Sequence, residues 1–420
     1  MPEPDPATYV REPTHIDEYP YSQLTRSGED ALEVRPSGFS TLFSNHTFSR
    51  SYTPTSLLLK NMTAAHRERI EELSDSIIAV IPFLAGPRWE AKYQDKAIRA
   101  LELFLRGIDF PDKGHVNLSM SIPASDKDRR DFGGPWVIIL EDVSAAFRMW
   151  LLDLGLISLT EPGATFLIES FSKEKMSWVI CNYTGSGVSE NPDDIARALT
   201  EIKRTIWKRE AIRKLIANYV DTRRNSKGSE VEAAALAQKS ITQILDDLTS
   251  SWRLIFIKCN NKEGDPNPRL QLQGKPISNQ AHEQREWLKT IRAIVVYAGF
   301  KQLKPDSKVI GCVGCKAETH PSWACPYPID NTDRWLGPTA DEYEKVLKNP
   351  SDWKQERRRI NNDFSQSDNR EFTILHGRGR GRGRGGFRGG GGRGRGGPEY
   401  PRGYSATRGR GHFGGYDYVG

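Results

Sequence analysis

Gly133-Gly134-Pro135-Trp136-Val137-Ile138-Ile139-Leu140 is the stretch on which the reading of the fold turns. A Gly-Gly-Pro turn signal runs straight into a continuous apolar run, the pattern of a buried strand. A helix follows near Asp142, with Val143, Phe147, Trp150 and Leu154 on one side and Gly155 placed to end it. Two more strands come next, over 164–171 and 176–183, joined as a hairpin by Ser172-Lys173-Glu174-Lys175. Asn191-Pro192-Asp193-Asp194 then opens a long helix, with a capping side chain, proline at the first helical position and acids in the first turn. This β-α-β-β-α order predicts an α+β fold with a ferredoxin-like or RRM-like sheet and helices on one face.

Working outward, additional helices flank that unit. Ile70, Leu73, Ile77, Ile78 and Ile81 recur at helical spacing and predict one helix over 64–84. A second is expected over 89–108, and the alternation over 116–122 reads as a strand. In the long helix after Asn191, Ile195, Leu199, Ile202 and Ile206 form one stripe. Ile212, Leu215, Ile216 and Tyr219 centre on a different side, so a break is expected near Lys208. Helical pattern returns over 231–248, strands are expected over 252–259 and 269–272, and an amphipathic helix over 283–298 ends at Gly299. The folded body therefore spans 56–300, in the order helical 56–110, β-α-β-β-α 115–221 and helix-strand-helix 229–300. Residues 1–55, rich in Pro, Ser, Thr and charge, are expected to be disordered.

Beyond the body, three of the five cysteines fall within fourteen residues with one histidine among them. The segment is Cys312-Val313-Gly314-Cys315-Lys316-Ala317-Glu318-Thr319-His320-Pro321-Ser322-Trp323-Ala324-Cys325. Soft thiolates with one imidazole suit a tetrahedral Zn²⁺, and four protein ligands leave no open position for a reacting water. Cys312, Cys315, His320 and Cys325 are thus candidate ligands of a structural zinc. Val313 and Trp323 are the apolar residues inside the loop, and Lys316 is a nearby cation. All three are candidate nucleic-acid contacts, with Trp323 placed to stack on an unpaired base. The remaining cysteines, Cys181 and Cys259, lie in or beside expected strands and read as packing thiols.

The C-x2-C-x4-H-x4-C spacing resembles the zinc knuckle of retroviral and retrotransposon Gag nucleocapsids. Gly usually follows the second Cys and precedes the His there, where this chain has Lys316 and Thr319, and Val313 stands at the usual aromatic position. The segment is more closely similar to Gag-like CCHC zinc-knuckle proteins abundant in mushroom-forming (basidiomycete) fungi. The resemblance rests on His320-Pro321, Cys325-Pro326-Tyr327-Pro328 and Trp335-Leu336-Gly337-Pro338. It implies zinc and nucleic-acid binding by a small knuckle over 308–340, flanked by Pro-rich sequence.

A basic, helical linker is expected over 341–376, and 377–420 resembles a disordered RGG box. Arg378, Arg380, Arg382, Arg384, Arg388, Arg393 and Arg395 are free to engage phosphates, and Phe387 supplies a ring. The tail carries ten Arg against Glu399 and Asp417, a local +8 in a chain of net +6, which leaves −2 for the rest. Attraction to a polyanion is expected to come from the tail, and spaced Arg and aromatics also favour self-association.

The expected partner is RNA or single-stranded DNA, bound with little sequence stringency. A Gag-derived assembly protein and an interaction scaffold with a purely structural zinc are the alternatives. No phosphate-binding loop, aspartic-protease motif or His-Glu-x-x-His is present, so neither an enzyme nor a small-molecule substrate is expected. No apolar run is long enough for a membrane span, and Met1-Pro2-Glu3-Pro4-Asp5-Pro6 lacks the features of a secretory leader. Together with unpaired-number cysteines this predicts an intracellular protein of the nucleus, the cytoplasm or both.

Overall fold

Among the described residues, ten strands build two five-stranded sheets in which every neighbouring pair is antiparallel. The computed structural model describes residues 19–25, 48–125, 131–159, 164–225, 239–261, 264–330 and 335–348, all within one unit of the chain. The protein is of the α+β class. Expectations for the Arg-Gly tail, the rest of the linker and residues 231–238 fall outside the described residues.

The first sheet contains β1 (Ile78–Pro82), β2 (Gly114–Met120), β3 (Ile138–Val143), β4 (Leu156–Ser158) and β5 (Thr165–Ser170) in the order β2-β3-β1-β5-β4. Helix α1 (Ala64–Glu72) precedes it, α2 (Pro87–Gly107) links β1 to β2, and α3 (Ala145–Leu154) links β3 to β4. Ser144 caps α3 by accepting from the Phe147 amide, and Gly155 ends it in the left-handed conformation, φ 67°.

The second sheet contains β6 (Val179–Thr184), β7 (Arg253–Ile257), β8 (Arg269–Gln273), β9 (Val296–Ala298) and β10 (Lys301–Asp306) in the order β7-β8-β6-β10-β9. Between β6 and β7 lie α4 (Pro192–Lys208), α5 (Glu210–Asn225) and α6 (Ile241–Ser250), and α7 (Ala281–Ile291) precedes β9. The Asn191 side chain caps α4 with Pro192 at its first turn. The phase change near Lys208 is a real break, because Arg209 is extended between α4 and α5. Strand for strand, the two sheets have the same order, with helices inserted after the first and third strand of each.

Four expectations are corrected. The run Ile77–Ile81 is no part of a helix: α1 stops at Glu72, and β1 is the central strand, buried along its length. Ile78 and Val80 face α2 and α3, while Ala79 and Ile81 face the opposite core. A helix would bury one stripe of this β-branched run, whereas a central strand buries both faces, about 1.5–3 kcal/mol per large side chain. The expected hairpin of 164–171 with 176–183 does not form either. β5 pairs with β1 and β4, and β6 with β8 and β10, so the β-α-β-β-α run is divided between the sheets. Long-range pairing gives each strand two neighbours, and the connecting segment is tied back by the buried Glu169–Lys175 ion pair and by the Thr55 hydroxyl donating to Ser172 O.

The helix expected over 283–298 ends at Ile291, and Val296–Ala298 instead pairs with Lys301–Leu303 across Gly299-Phe300. Gly299 holds φ 63°, the conformation a tight hairpin needs. Lastly, two pieces of 1–55 are ordered. The Thr25 amide donates to Phe48 O (2.8 Å) and the Arg50 amide to Gln23 O (2.8 Å), which pairs the pieces. Tyr19 and Phe48 are then buried, because each ring finds an aromatic pocket: Trp178 for Tyr19, and Tyr327 with Trp335 for Phe48.

Candidate metal centre

The Cys-His loop leaves β10 and folds back on the first sheet. The Cys312 amide donates to Ala317 O (3.0 Å) and the Lys316 amide to Cys312 O (2.9 Å), so the Cys-x-x-Cys segment closes as a tight turn. Lys316 sits at φ 64°, in the left-handed region where a glycine would be unstrained. The Val313 amide donates to Ser322 Oγ (3.0 Å), which binds the turn to the returning segment carrying His320 and Cys325. The ligand atoms of Cys312, Cys315, His320 and Cys325 consequently lie within 4.8 Å of one another. Zinc–sulfur bonds of about 2.3 Å would need sulfur–sulfur edges of roughly 3.8 Å in a tetrahedron, a small contraction from there. The four residues can hold a metal ion.

Burial and mutual contact set the protonation of these four groups. Burial raises Cys312, yet hydrogen bonds from Cys315 and Cys325 and the charge on His320 hold it well below the usual thiol range. Burial and the negative Cys312 push Cys325 well up and Cys315 up, while Cys315 and Cys312 raise His320 against its own desolvation. Burial works against a thiolate at each sulfur, and a bound divalent ion would offset that cost at all three. Cys181 and Cys259 lie apart from this cluster, and burial lifts their thiols to about 12 and about 11.

The loop is not a free-standing knuckle. Cys312, Cys315 and Cys325 belong to the same apolar core as Ala79, Ile81, Phe83, Tyr327, Trp335 and Tyr343. This core covers the face of the first sheet opposite α2 and α3. The Leu84 amide donates to Gly314 O (2.9 Å), and Ser51 Oγ donates to Cys315 O (3.0 Å). A Cβ on Gly314 would stand 2.6 Å from the Phe83 ring and 2.9 Å from Tyr343 Oη, so only glycine fits between them. Tyr343, on α8 (Ala340–Lys348), has its hydroxyl 3.4 Å from Cys312 Sγ. On its other side the loop reaches the second sheet, where Gln271 Nε2 donates to Glu318 O (2.9 Å).

The motif residues around the ligands serve this packing. Tyr327 is buried against Phe48, Phe83 and Trp335 and donates to Ser49 O (2.7 Å). Trp335 Nε1 donates to Pro338 O (2.9 Å), and a side chain on Gly337 would collide with the indole at 2.3 Å. Sequence reading singled out this Trp-Leu-Gly-Pro but not its role, and it missed Ser51 and Tyr343, which carry no local signal.

Of the expected nucleic-acid contacts in the loop, Trp323 alone is exposed, at 38%. Val313 packs half-buried against the core. Lys316 is buried, and its ammonium donates to Ala85 O and Val313 O (2.7 Å each) and lies 5.0 Å from the Trp136 ring centre. Burial lowers its pKa to about 7, and its amino group is spent on two backbone carbonyls, so it is not offered to a phosphate. Arg378, Arg380, Arg382, Arg384, Phe387, Arg388, Arg393 and Arg395 lie outside the described residues. No helix among the described residues is long and apolar enough to cross a membrane. Comparison with protein-family models, curated proteins and solved structures finds no match to this chain.

Proposed function

We propose that this protein binds single-stranded nucleic acid, RNA or DNA, and that its metal is a structural Zn²⁺. The observation that carries the metal reading is the burial of three cysteines in a closed three-sulfur, one-nitrogen set. Such a set suits zinc and leaves no reactive position. Here the ion would staple a tertiary core in place of folding an independent knuckle. The likeness to Gag-like fungal zinc-knuckle proteins is kept for ligand spacing and nucleic-acid binding. Support for the nucleic-acid reading is the Arg-Gly tail with its spaced rings, whose local +8 is the main positive charge of the chain.

The folded body adds support of a second kind. With the short β4 or β9 set aside, the first strand of each sheet lies between the third and the last. That order supports reading each half as a ferredoxin-like, RRM-like unit, a frame shifted from the one first expected. A scaffold held together by zinc is the second reading, favoured by the burial of Lys316.

The test measures zinc content and oligonucleotide affinity of the full chain against a chain lacking 377–420. About one zinc per chain is expected, lost in Cys312→Ser. Tail removal should weaken binding and flatten its dependence on salt, since fewer counterions are released. Unchanged affinity and slope without the tail would overturn the tail's role, and full zinc content in Cys312→Ser would overturn the ligand set.

A further inference from the structure

The two sheets share a strand order but differ in the polarity of their outer faces. The face of the first sheet away from its helices is apolar and sealed by the metal loop. The corresponding face of the second sheet is polar along β6 and β8, which carry buried Asn182, Arg269, Gln271 and Gln273, beside an apolar patch of Ile255 and Ile257 on β7. These groups satisfy one another: Gln271 Nε2 donates to Asn182 Oδ1 (3.1 Å) and Gln273 Nε2 to Gln271 Oε1 (2.6 Å). A sheet face needed only for packing would be filled more cheaply by apolar side chains.

Where Asn182 and Arg269 lie, this face opens into a cleft of about 710 Å³, the size of a small-ligand or nucleotide site. Its charged lining is Arg269, Arg292, Lys304 and Lys308 against Asp306 and Glu318, an excess of two positive charges. Both acids are engaged: Asp306 accepts from Arg269 Nε (2.8 Å), and Glu318 accepts from Ser177 Oγ (2.7 Å). Arg292 is fixed by donating to Ile180 O (2.7 Å). Lys304 and Lys308 are exposed, and their ammonium groups make no ion pair among the described residues. The chain outside the tail is net negative, so this concentration of cations is local.

An aromatic platform adjoins it. Tyr297 on β9 pairs with Gln302 on β10, and its hydroxyl accepts from Gln302 Nε2 (2.9 Å). Gln302 and Lys304 are alternate residues of one strand and share a face. The Tyr297 ring, 58% exposed, therefore stands on the edge strand beside the cleft, with Phe300 fully exposed at the hairpin tip. Free ammonium groups next to an exposed ring, over a polar floor, are what a phosphate-and-base ligand requires.

We propose that this face of the second sheet is the surface on which the folded body holds a segment of single-stranded nucleic acid. Phosphates lie on Lys304 and Lys308, and a base stacks on Tyr297. The inference rests on the reading of the protein as a single-stranded nucleic-acid binder and adds a site within the body, distinct from the tail.

The experiment uses the full chain and a fluorescein-labelled oligouridylate, titrated at several salt concentrations. The variants are Lys304→Gln with Lys308→Gln, Tyr297→Ala, and Lys258→Gln as a control on the opposite edge strand's exit. Zinc content and circular dichroism verify folding, and the replaced side chains are exposed, so the fold should persist. The lysine pair should reduce the slope of log K against log salt by about 1.4, from roughly 0.7 per phosphate contact on a single strand. Tyr297→Ala should weaken binding by roughly 5- to 150-fold with the slope retained, the range of one base stack. Lys258→Gln should change neither. If the full chain binds but the cleft variants match the unmodified protein, the inference is overturned while the tail-based function stands. If the full chain binds neither oligouridylate nor its DNA counterpart, both are overturned.

Discussion

Replacing Lys316 separates a core residue from a nucleic-acid contact. Its ammonium donates to two carbonyls at 2.7 Å and lies over the Trp136 ring. In Lys316→Ala each abandoned carbonyl loses its hydrogen-bond partner, about 1–3 kcal/mol apiece. The ring contact adds about 0.5–2 kcal/mol. Relief of the buried ammonium's desolvation, several kcal/mol before compensation, offsets part of this. A net loss of about 2–4 kcal/mol is expected from these terms. The backbone supplies an internal control, because Lys316 holds φ 64°. Lys316→Gly removes the same contacts but releases the left-handed strain, so it should be about 1 kcal/mol more stable than Lys316→Ala. Equilibrium urea unfolding of the zinc-loaded chain, followed by tryptophan fluorescence, measures both differences, and anisotropy measures oligonucleotide affinity. Affinity should stay within twofold of the parent. An alanine variant as stable as the parent but weakened in binding would refute the assignment of Lys316 to the core. Equal stability of the Ala and Gly variants would refute the strain argument.

Two further outcomes follow from packing. Gly314→Ala places a Cβ 2.6 Å from the Phe83 ring and 2.9 Å from Tyr343 Oη, so thermal unfolding should show a loss of about 1–3 kcal/mol from overpacking. An unchanged midpoint would mean that the loop does not press on the first sheet. Lys175→Met leaves the Glu169 carboxylate buried without its cation, with an expected cost of about 3–5 kcal/mol in denaturant titrations. The double variant with Glu169→Leu should recover most of that loss, and failure to recover would show that the pair is not the source.

The metal ligands were legible because they lie within fourteen residues. Chain connectivity keeps such groups close whatever the rest of the fold does, so residue type and spacing carry nearly all the information. Helix ends were legible for the same reason. The Ser144 and Asn191 caps and the left-handed Gly155 act on backbone groups a few residues away. The loop's surroundings were not legible: Ser51 reaches Cys315 across 264 positions, and Tyr343 reaches Cys312 across 31.

By itself, then, the sequence determined the α+β class, the Cys3His set, the break near Lys208 and the net charge of the tail, all set by local spacing or composition. Tertiary structure alone decided that Ile77–Ile81 is a central strand, that 164–171 and 176–183 belong to different sheets, and that Lys316 is inside while Lys304 and Lys308 stand free. The physical reason is pairing. A strand has no partner written in its own residues, and an apolar run such as Ile77–Ile81 suits a helix or a strand until distant segments compete to cover both of its faces.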